Sequence, residues 1–328
     1  MIGKLSQRGR HQYLECPSQL FCTTPPFPTN MMIETTNYCN HACVFCANRL
    51  ATRPKGSIPK ELLFSILEQA AALGVTDVGF YSTGEPLSYP HLVHAVAKAK
   101  KLGFKYTYIS TNGELATPSR IIPVVEAGLD SLKFSINAGT SATYHAVHGK
   151  DTFNKLFNNV TAIYRWREET NSSLYIASST VLPKDAETER EAILKVFEPF
   201  MDEMIFSVQG AQAGHISKNE AELRSISASK AGVCALPFNR IHVTCEGYLT
   251  LCCVDFQNYL AGADLNKGSL SDCWHSDSFV EMRKRMLDYD IDGTLCGRCR
   301  LGSTAKIEPL KPELATYCDF NHCFAAMP

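Results

Sequence analysis

Between residue 31 and about residue 208, short runs of apolar and β-branched residues alternate with longer segments whose apolar positions recur every three or four residues. The runs Met31–Thr36, Asp77–Tyr81, Tyr106–Ser110, Ser131–Ile136, Leu174–Val181 and Met204–Val208 predict strands. The stripe Leu62, Leu63, Ile66, Leu67 and Ala70 predicts a helix, opened by Ser57 as N-cap with Pro59 in the first turn and closed at Gly74. Further helices are predicted at Leu92–Leu102, Ile121–Ala127, Phe153–Arg167 and Glu187–Phe200. Strands alternating with helices of this length imply βαβ units and a parallel sheet. Six such units fit an open sheet or a partial barrel, and periodicity does not choose between them.

The rhythm has clear ends. Residues 1–30 are irregular, with Pro17, Pro25, Pro26 and Pro28, and read as an arm packed on the surface. The α/β region therefore spans 31–215. Residues 216–232 are polar and read as a linking helix or loop. Residues 233–300 hold a cluster of cysteines, a hairpin over Arg240–Val254 turning at Gly247, and a helix near Phe279–Leu287; they read as a second, small domain. Residues 301–328 are left as a tail.

Composition narrows the class. The chain has 328 residues, 45% hydrophobic and 20% charged, as in an ordinary globular protein. A net charge of −1 provides no field that would favour nucleic acid or an anionic membrane. The short basic groups Lys98, Lys100, Lys101 and Arg283-Lys284-Arg285 read as solvated helix faces. No apolar run reaches the roughly 18 residues that span a bilayer, and the N-terminus lacks a signal-peptide core, so the expected location is the cytoplasm. Fourteen cysteines in such a chain point to metal or redox chemistry rather than to a disulfide framework.

Three of them follow the first strand, in Cys39-Asn40-His41-Ala42-Cys43-Val44-Phe45-Cys46. A structural zinc wants four closed ligands. Three thiolates suit an iron–sulfur cube with one iron left open. This segment resembles the signature of the radical S-adenosylmethionine (SAM) superfamily, with Phe45 as its aromatic. The resemblance implies that SAM binds the open iron and is cleaved by one electron to a 5′-deoxyadenosyl radical, which abstracts hydrogen from substrate. Ser82-Thr83-Gly84-Glu85-Pro86 resembles the family's G-G-E-P segment, with Thr83 replacing the first glycine, and implies contact of Gly84 and Glu85 with the SAM amino group. Polar residues end the next two strands, where parallel α/β folds place their ligands. By the same resemblance, Ser110, Asn112, Ser135 and Asn137 face the SAM ribose and carboxylate. The family fold implied over residues 31–215 is a partial (β/α)6 barrel.

The second cluster runs Cys234, twelve residues, Gly247, four residues, Cys252, and later Cys296-Gly297-Arg298-Cys299. This order resembles the SPASM/twitch auxiliary-cluster domains. A full SPASM domain needs a cysteine where this chain has Ala305, so the match is to the shorter twitch form, with four ligands and one auxiliary 4Fe-4S cluster. Zinc at these four cysteines is the alternative. Cys318 and Cys323 read as free thiols. Cys16, Cys22, Cys245, Cys253 and Cys273 read as structural thiols, with Cys245, Cys253 and Cys273 also candidates to return hydrogen to a substrate radical.

A fully ligated auxiliary cluster suits electron transfer, and the cysteine spacing is similar to that of 2-deoxy-scyllo-inosamine dehydrogenase-like members. The favoured expectation is therefore oxidation, or epimerisation, of a hydroxyl-bearing carbon in a sugar or aminocyclitol, with a flavodoxin- or ferredoxin-type electron donor. The main competitor is a peptide-modifying maturase. Only 38 residues precede Cys39, which is short for the peptide-binding domain such enzymes usually carry. A non-catalytic electron carrier is the third possibility, and the Gly84-Glu85 segment speaks against it. His215, after the sixth strand, is the leading candidate for a general base, although a surface-loop histidine is the commoner reading; Tyr81 and Arg240 are weaker candidates.

Overall fold

The computed structural model describes residues 17–216, 220–228 and 232–317; Cys16, Cys318 and Cys323 lie outside the described residues. All six predicted strands form: β1 Asn30–Ile33, β2 Asp77–Gly79, β3 Tyr106–Thr111, β4 Ser131–Ser135, β5 Tyr175–Leu182 and β6 Glu203–Val208. They pair in parallel in chain order from β1 to β6. The helices between them are α1 Lys60–Ala72, α2 Leu92–Lys101, α3 Pro118–Glu126, α4 Ser141–His148, α5 Phe153–Thr170 and α6 Glu187–Phe197.

Side chains alternate across a strand, so the sheet has two unlike faces. Met31, Ile33, Val78, Phe80, Ile109, Leu132, Phe134 and Ile176 join helix residues such as Leu63, Ile66, Val96, Val124, Val160 and Phe197 in one buried core. The alternate positions are mostly polar: Tyr81, Tyr106, Tyr108, Ser110, Lys133, Ser135, Ser179 and His242. Gly79 lies on this polar face, where an added Cβ would come within 2.7 Å of the Tyr108 ring. The helices pack on the apolar face.

The first predicted helix starts later than expected. Its N-cap is Pro59 and it begins at Lys60. Ser57 instead forms an antiparallel bridge with Thr36. Hydrogen bonds from Gly56 N to Asn37 Oδ1 (2.8 Å) and from Ile58 N to Thr35 O (3.0 Å) hold this stretch extended. Helix α4 is not anticipated by the apolar periodicity. A capping box between Thr140 and Thr143 starts it, and Gly149 at φ 65° ends it.

The cysteine-rich region does not stand apart from the sheet. Its strand β7 Ile241–Val243 pairs in parallel with β1, and β8 Tyr248–Thr250 and β9 Ala261–Asp264 continue antiparallel to give nine strands. Gly247 at φ 86° makes the turn between β7 and β8. The region adds helices α7 Glu220–Ala228, α8 Leu236–Asn239, α9 Leu270–Trp274, α10 Asp277–Leu287 and α11 Leu295–Leu301. Ser227 on α7 donates to the carbonyls of Arg298 (3.4 Å) and Cys299 (3.1 Å) on α11.

Arg283 departs from the expected solvated face. It is fully buried, donates to the carbonyls of Pro237 (2.9 Å) and Trp274 (3.0 Å), and stacks 4.0 Å from the Trp274 ring. The arm explains this burial. Thr23 O accepts from Arg283, Phe21 packs on Phe238, and Phe27 packs on Trp274, which roofs the side chain over. No helix among the described residues is long and apolar enough to cross a membrane.

Candidate functional site

The loop carrying Cys39, Cys43 and Cys46 leaves the end of β1 and is fixed at its root by the segment after β2. Gly84 lies so close that an added Cβ would sit 2.2 Å from Thr36 O and 2.6 Å from Tyr38 O. Glu85 N donates to Tyr38 O (2.8 Å), and Asn48 Nδ2 bridges Asn37 O (2.9 Å) and Thr83 O (2.8 Å). The other flank rests on α4, where Val44 N donates to Val147 O (2.9 Å) and Cys43 Sγ lies 3.1 Å from His148 Nδ1. Phe45 meets the His148 ring edge-on at 6.1 Å.

Burial pushes all three thiols up, Cys39 to about 11 and Cys43 and Cys46 also above the ordinary thiol value. Such thiols are poor free nucleophiles and become thiolates when a metal replaces the proton. Burial likewise pulls the His148 imidazole down, to about 3, so the ring is neutral at pH 7.

Of the expected SAM contacts on β3 and β4, Asn112 reaches this loop. Asn112 Nδ2 donates to Asn40 Oδ1 (2.7 Å) and lies 3.9 Å from Cys39 Sγ. Ser110 Oγ and Ser135 Oγ are 3.4 Å apart on adjacent strands. Asn137 is buried and its Oδ1 accepts from Val181 N (2.7 Å), which ties β4 to β5. The Glu85 carboxylate accepts from Thr111 Oγ1 (2.7 Å), Leu87 N (3.0 Å) and Asn112 N (2.9 Å). Burial outweighs these bonds and raises its pKa to about 7.

Cys234, Cys252, Cys296 and Cys299 line one cavity with Pro237, Leu260 and Met286, a space of about 390 Å³. No three of these four sulfurs, nor the sulfurs of Cys39, Cys43 and Cys46, lie within 4.8 Å of one another. A tetrahedral zinc with Zn–S near 2.3 Å would draw its sulfurs to roughly 3.8 Å apart. Neither thiol set is drawn in around a single ion, and thiolates are the ligand type of an iron–sulfur cube whose ligands sit on separate irons.

Cys252 also lines a second, smaller cavity with Cys253, His242, Ser82, Thr83 and Glu34. Cys253 faces His242 and the Arg240 cation there. A buried ion pair, Arg53 with Glu34, lines this same cavity. Burial alone would raise the Glu34 carboxyl, but Arg53 (2.5 Å) and the N–H of Cys245 (3.0 Å), with Thr83, hold it below the usual carboxylate range.

The remaining candidates separate. Cys245 is buried beside Arg53, 3.7 Å from its Nη2. Cys273 sits in the apolar core on α9, near α1, and lines neither cavity. His215 is buried rather than on a surface loop, edge-on at 5.8 Å to Phe256, which clusters with Ala47 and Ile216 against Phe45 and Cys46. It is buried because Gln212 Oε1 accepts from Ala47 N (3.2 Å), which draws this loop onto the cysteine loop. Tyr81 is half-buried and lies 5.3 Å from Lys133 Nζ. Arg240 is buried, donating to Asn30 Oδ1 (2.5 Å) and Tyr108 OH (2.9 Å).

Sequence reasoning missed His148 and Lys133. A histidine just before a helix-ending glycine gave no local signal. Lys133 was legible as an alternate position of a strand whose other face is apolar.

Residues 33–196, half of the chain, match the family model of the radical SAM superfamily. The chain belongs to the radical SAM superfamily. Residues 234–300 match the SPASM iron–sulfur cluster-binding domain. SAM and a 4Fe-4S cluster are thus the cofactors of the core, and an auxiliary iron–sulfur centre is that of the second region.

A PqqA peptide cyclase from Gluconobacter oxydans (strain 621H) is 34% identical over 128 residues, which is 39% of this chain and 35% of that protein. The curated relatives are matched over about a third to a half of their length, 31% to 46% in four of them. Two solved structures share the fold at 18% identity. BtrN in complex with AdoMet and 2-DOIA has a TM-score of 0.57, covering 89% of this chain and 98% of that one. Streptococcus suis SuiB bound to its precursor peptide SuiA has a TM-score of 0.63, covering 79% of this chain and 67% of that one. The open six-stranded parallel sheet is the partial barrel of this family.

Proposed function

We propose that this radical SAM enzyme removes hydrogen from a peptide substrate and completes a net two-electron oxidation of it. The observation that carries the oxidation is Cys252, which lines both the four-thiol cavity and the cavity bounded by Ser82 and Thr83. A substrate group reaching the second cavity would then be one side chain away from the four thiols. The peptide assignment is supported by the peptide cyclase named above at 34% identity, and it revises the sugar or aminocyclitol expectation drawn from cysteine spacing.

When bound, SAM and its cluster supply the hydrogen-abstracting radical, and an auxiliary cluster supplies an electron acceptor. The protein's own residues hold the pieces. Cys39, Cys43 and Cys46 are assigned to the SAM-binding cluster, and Cys234, Cys252, Cys296 and Cys299 to the auxiliary one. Gly84, Ser110, Asn112 and Ser135 are assigned to SAM, with Asn137 and Glu85 supporting their strands.

Oxidation also releases a proton. Lys133 is on the polar face, its cation lies over Tyr81, and Cys253 is the charged neighbour that acts against its desolvation. Burial lowers its pKa, which makes the neutral amine more available as a base. Lys133 is therefore assigned to accept the proton. A second reading, oxidation of a hydroxyl-bearing carbon in a sugar or aminocyclitol, is favoured by the 98% coverage of BtrN.

The test is anaerobic reconstitution followed by incubation in deuterium oxide with short peptides and with aminocyclitols. We expect a peptide to stimulate 5′-deoxyadenosine formation and to emerge with two hydrogens fewer and no deuterium on carbon. Turnover of an aminocyclitol alone would establish the second reading. Deuterium on carbon with no loss of hydrogen would replace oxidation by epimerisation.

A further inference from the structure

The cysteine loop and α4 meet at one side-chain polar contact, Cys43 Sγ to His148 Nδ1 at 3.1 Å. A cluster-bound thiolate has no proton to give, so the contact is a hydrogen bond only when Nδ1 carries the ring proton. The other ring nitrogen, Nε2, is buried without a hydrogen-bond partner among the described residues, so nothing there competes for the proton. The ring is held in place. It stacks on Tyr144 at 4.3 Å and 29° and meets His41 edge-on at 5.5 Å. His148 is the last residue of α4, and Gly149 at φ 65° turns the chain away behind it.

We propose that His148 is a positioning residue that donates an Nδ1–H hydrogen bond to the Cys43 thiolate and raises the reduction potential of the SAM-binding cluster. The inference rests on Cys43 being a ligand of that cluster and is independent of the substrate. Reduction adds negative charge shared with the thiolate sulfurs. A fixed N–H dipole aimed at one of them stabilises the reduced state more than the oxidised state. In this family the electron that cleaves SAM must first be loaded onto that cluster, so His148 would make loading easier.

The experiment is an anaerobic redox titration of the reconstituted full chain, followed by electron paramagnetic resonance. The signal that changes on adding SAM reports the cluster with the open iron and separates it from the auxiliary one. His148→Phe keeps the stack on Tyr144 and removes the donor. Its midpoint should fall, with reduction about tenfold less favourable, equivalent to about 59 mV for a one-electron couple. His148→Asn places an amide N–H near the Nδ1 position and should restore most of the shift. An unchanged midpoint in H148F, or an equal shift in H148N, would overturn the proposal.

Pulsed resonance on wild-type protein carrying ¹⁵N-histidine needs no variant to fold. A nitrogen coupling to the reduced SAM-responsive cluster is expected; because His41 also lies within 4.8 Å of the Cys43 sulfur, the part lost in H148F is the share of His148, and the absence of any coupling would also overturn the proposal. Cys43→Ala tests the underlying assignment separately. A SAM-responsive cluster that persists in C43A removes Cys43 as a ligand, whereas the H148 results bear on the hydrogen bond alone.

Discussion

Glu85 has a complete set of partners on its own chain. One oxygen accepts from Thr111 and from the N–H of Leu87, and the other accepts from the N–H of Asn112. These bonds pin the segment after β2 to the end of β3, the two strand ends that frame the expected SAM site. Even so, burial dominates and lifts the carboxyl to about 7 from an unfolded value of 4.5. A raised acid binds its proton more tightly when folded, so its stabilising contribution is present below about pH 4.5 and is lost as pH rises through about 7. The contribution is on the order of 3 kcal/mol, from about 1.4 kcal/mol per unit of pKa. Glu85→Gln removes this titration. Urea midpoints measured from pH 4.5 to 8 should show the wild-type advantage over E85Q shrinking by roughly that amount. Parallel curves across the range would show that Glu85 does not titrate there.

The elements that could be read from sequence are those held by their own periodicity. Leu63, Ile66, Leu67 and Ala70 announce α1 because a helix laid on a sheet needs one apolar stripe. Strands β1 to β6 announce themselves because one face must be apolar. The cysteine loop was legible for a different reason, since three thiols at fixed spacing are improbable without a metal. What could not be read is contact between elements distant in sequence. Helix α4 mixes polar and apolar residues, and its place is set by Thr140, Gly149 and the cysteine loop it covers. Ser57 has the local chemistry of an N-cap, yet pairing with Thr36 overrides it. Gly84 shows the same point at closer range. It reads as a turn glycine, but its φ is not positive; what excludes a side chain is the backbone of Thr36 and Tyr38. Gly84→Ala must therefore push the β2 segment off the root of the cysteine loop. We expect G84A to lose the SAM-responsive cluster while keeping auxiliary iron, so that iron per chain falls by about half. Full iron with an unchanged response to SAM would mean that the loop yields without cost.

Across the whole molecule, the sheet joins the two cysteine sets. Because β7 pairs with β1, the hairpin that carries Cys252 and Cys253 is built onto the strand that leads into Cys39. Two domains joined only by a linker would let the thiol sets drift apart, whereas a shared sheet fixes their separation. The buried Arg53–Glu34 pair reinforces the joint. Glu34 follows β1, while Arg53 also donates to Asn258 (2.8 Å) and faces Glu246 (3.2 Å) in the cysteine-rich region. This rigidity suits a reaction in which a substrate radical must give up an electron before it is quenched. Cys252 is the side chain at the junction, since it belongs to both cavities. Replacing it therefore separates the two halves of the reaction. In Cys252→Ser we expect the auxiliary iron to be lost, which is about half of the total. The response to SAM and substrate-dependent 5′-deoxyadenosine formation should persist, because Cys39, Cys43 and Cys46 are untouched. The oxidised product should disappear, leaving substrate that has exchanged hydrogen with solvent or returned unchanged. Mass spectrometry of the product, with 5′-deoxyadenosine quantified in the same sample, reads both halves. Oxidised product formed at the wild-type ratio to 5′-deoxyadenosine would show that the electron leaves the substrate by a route that does not pass Cys252.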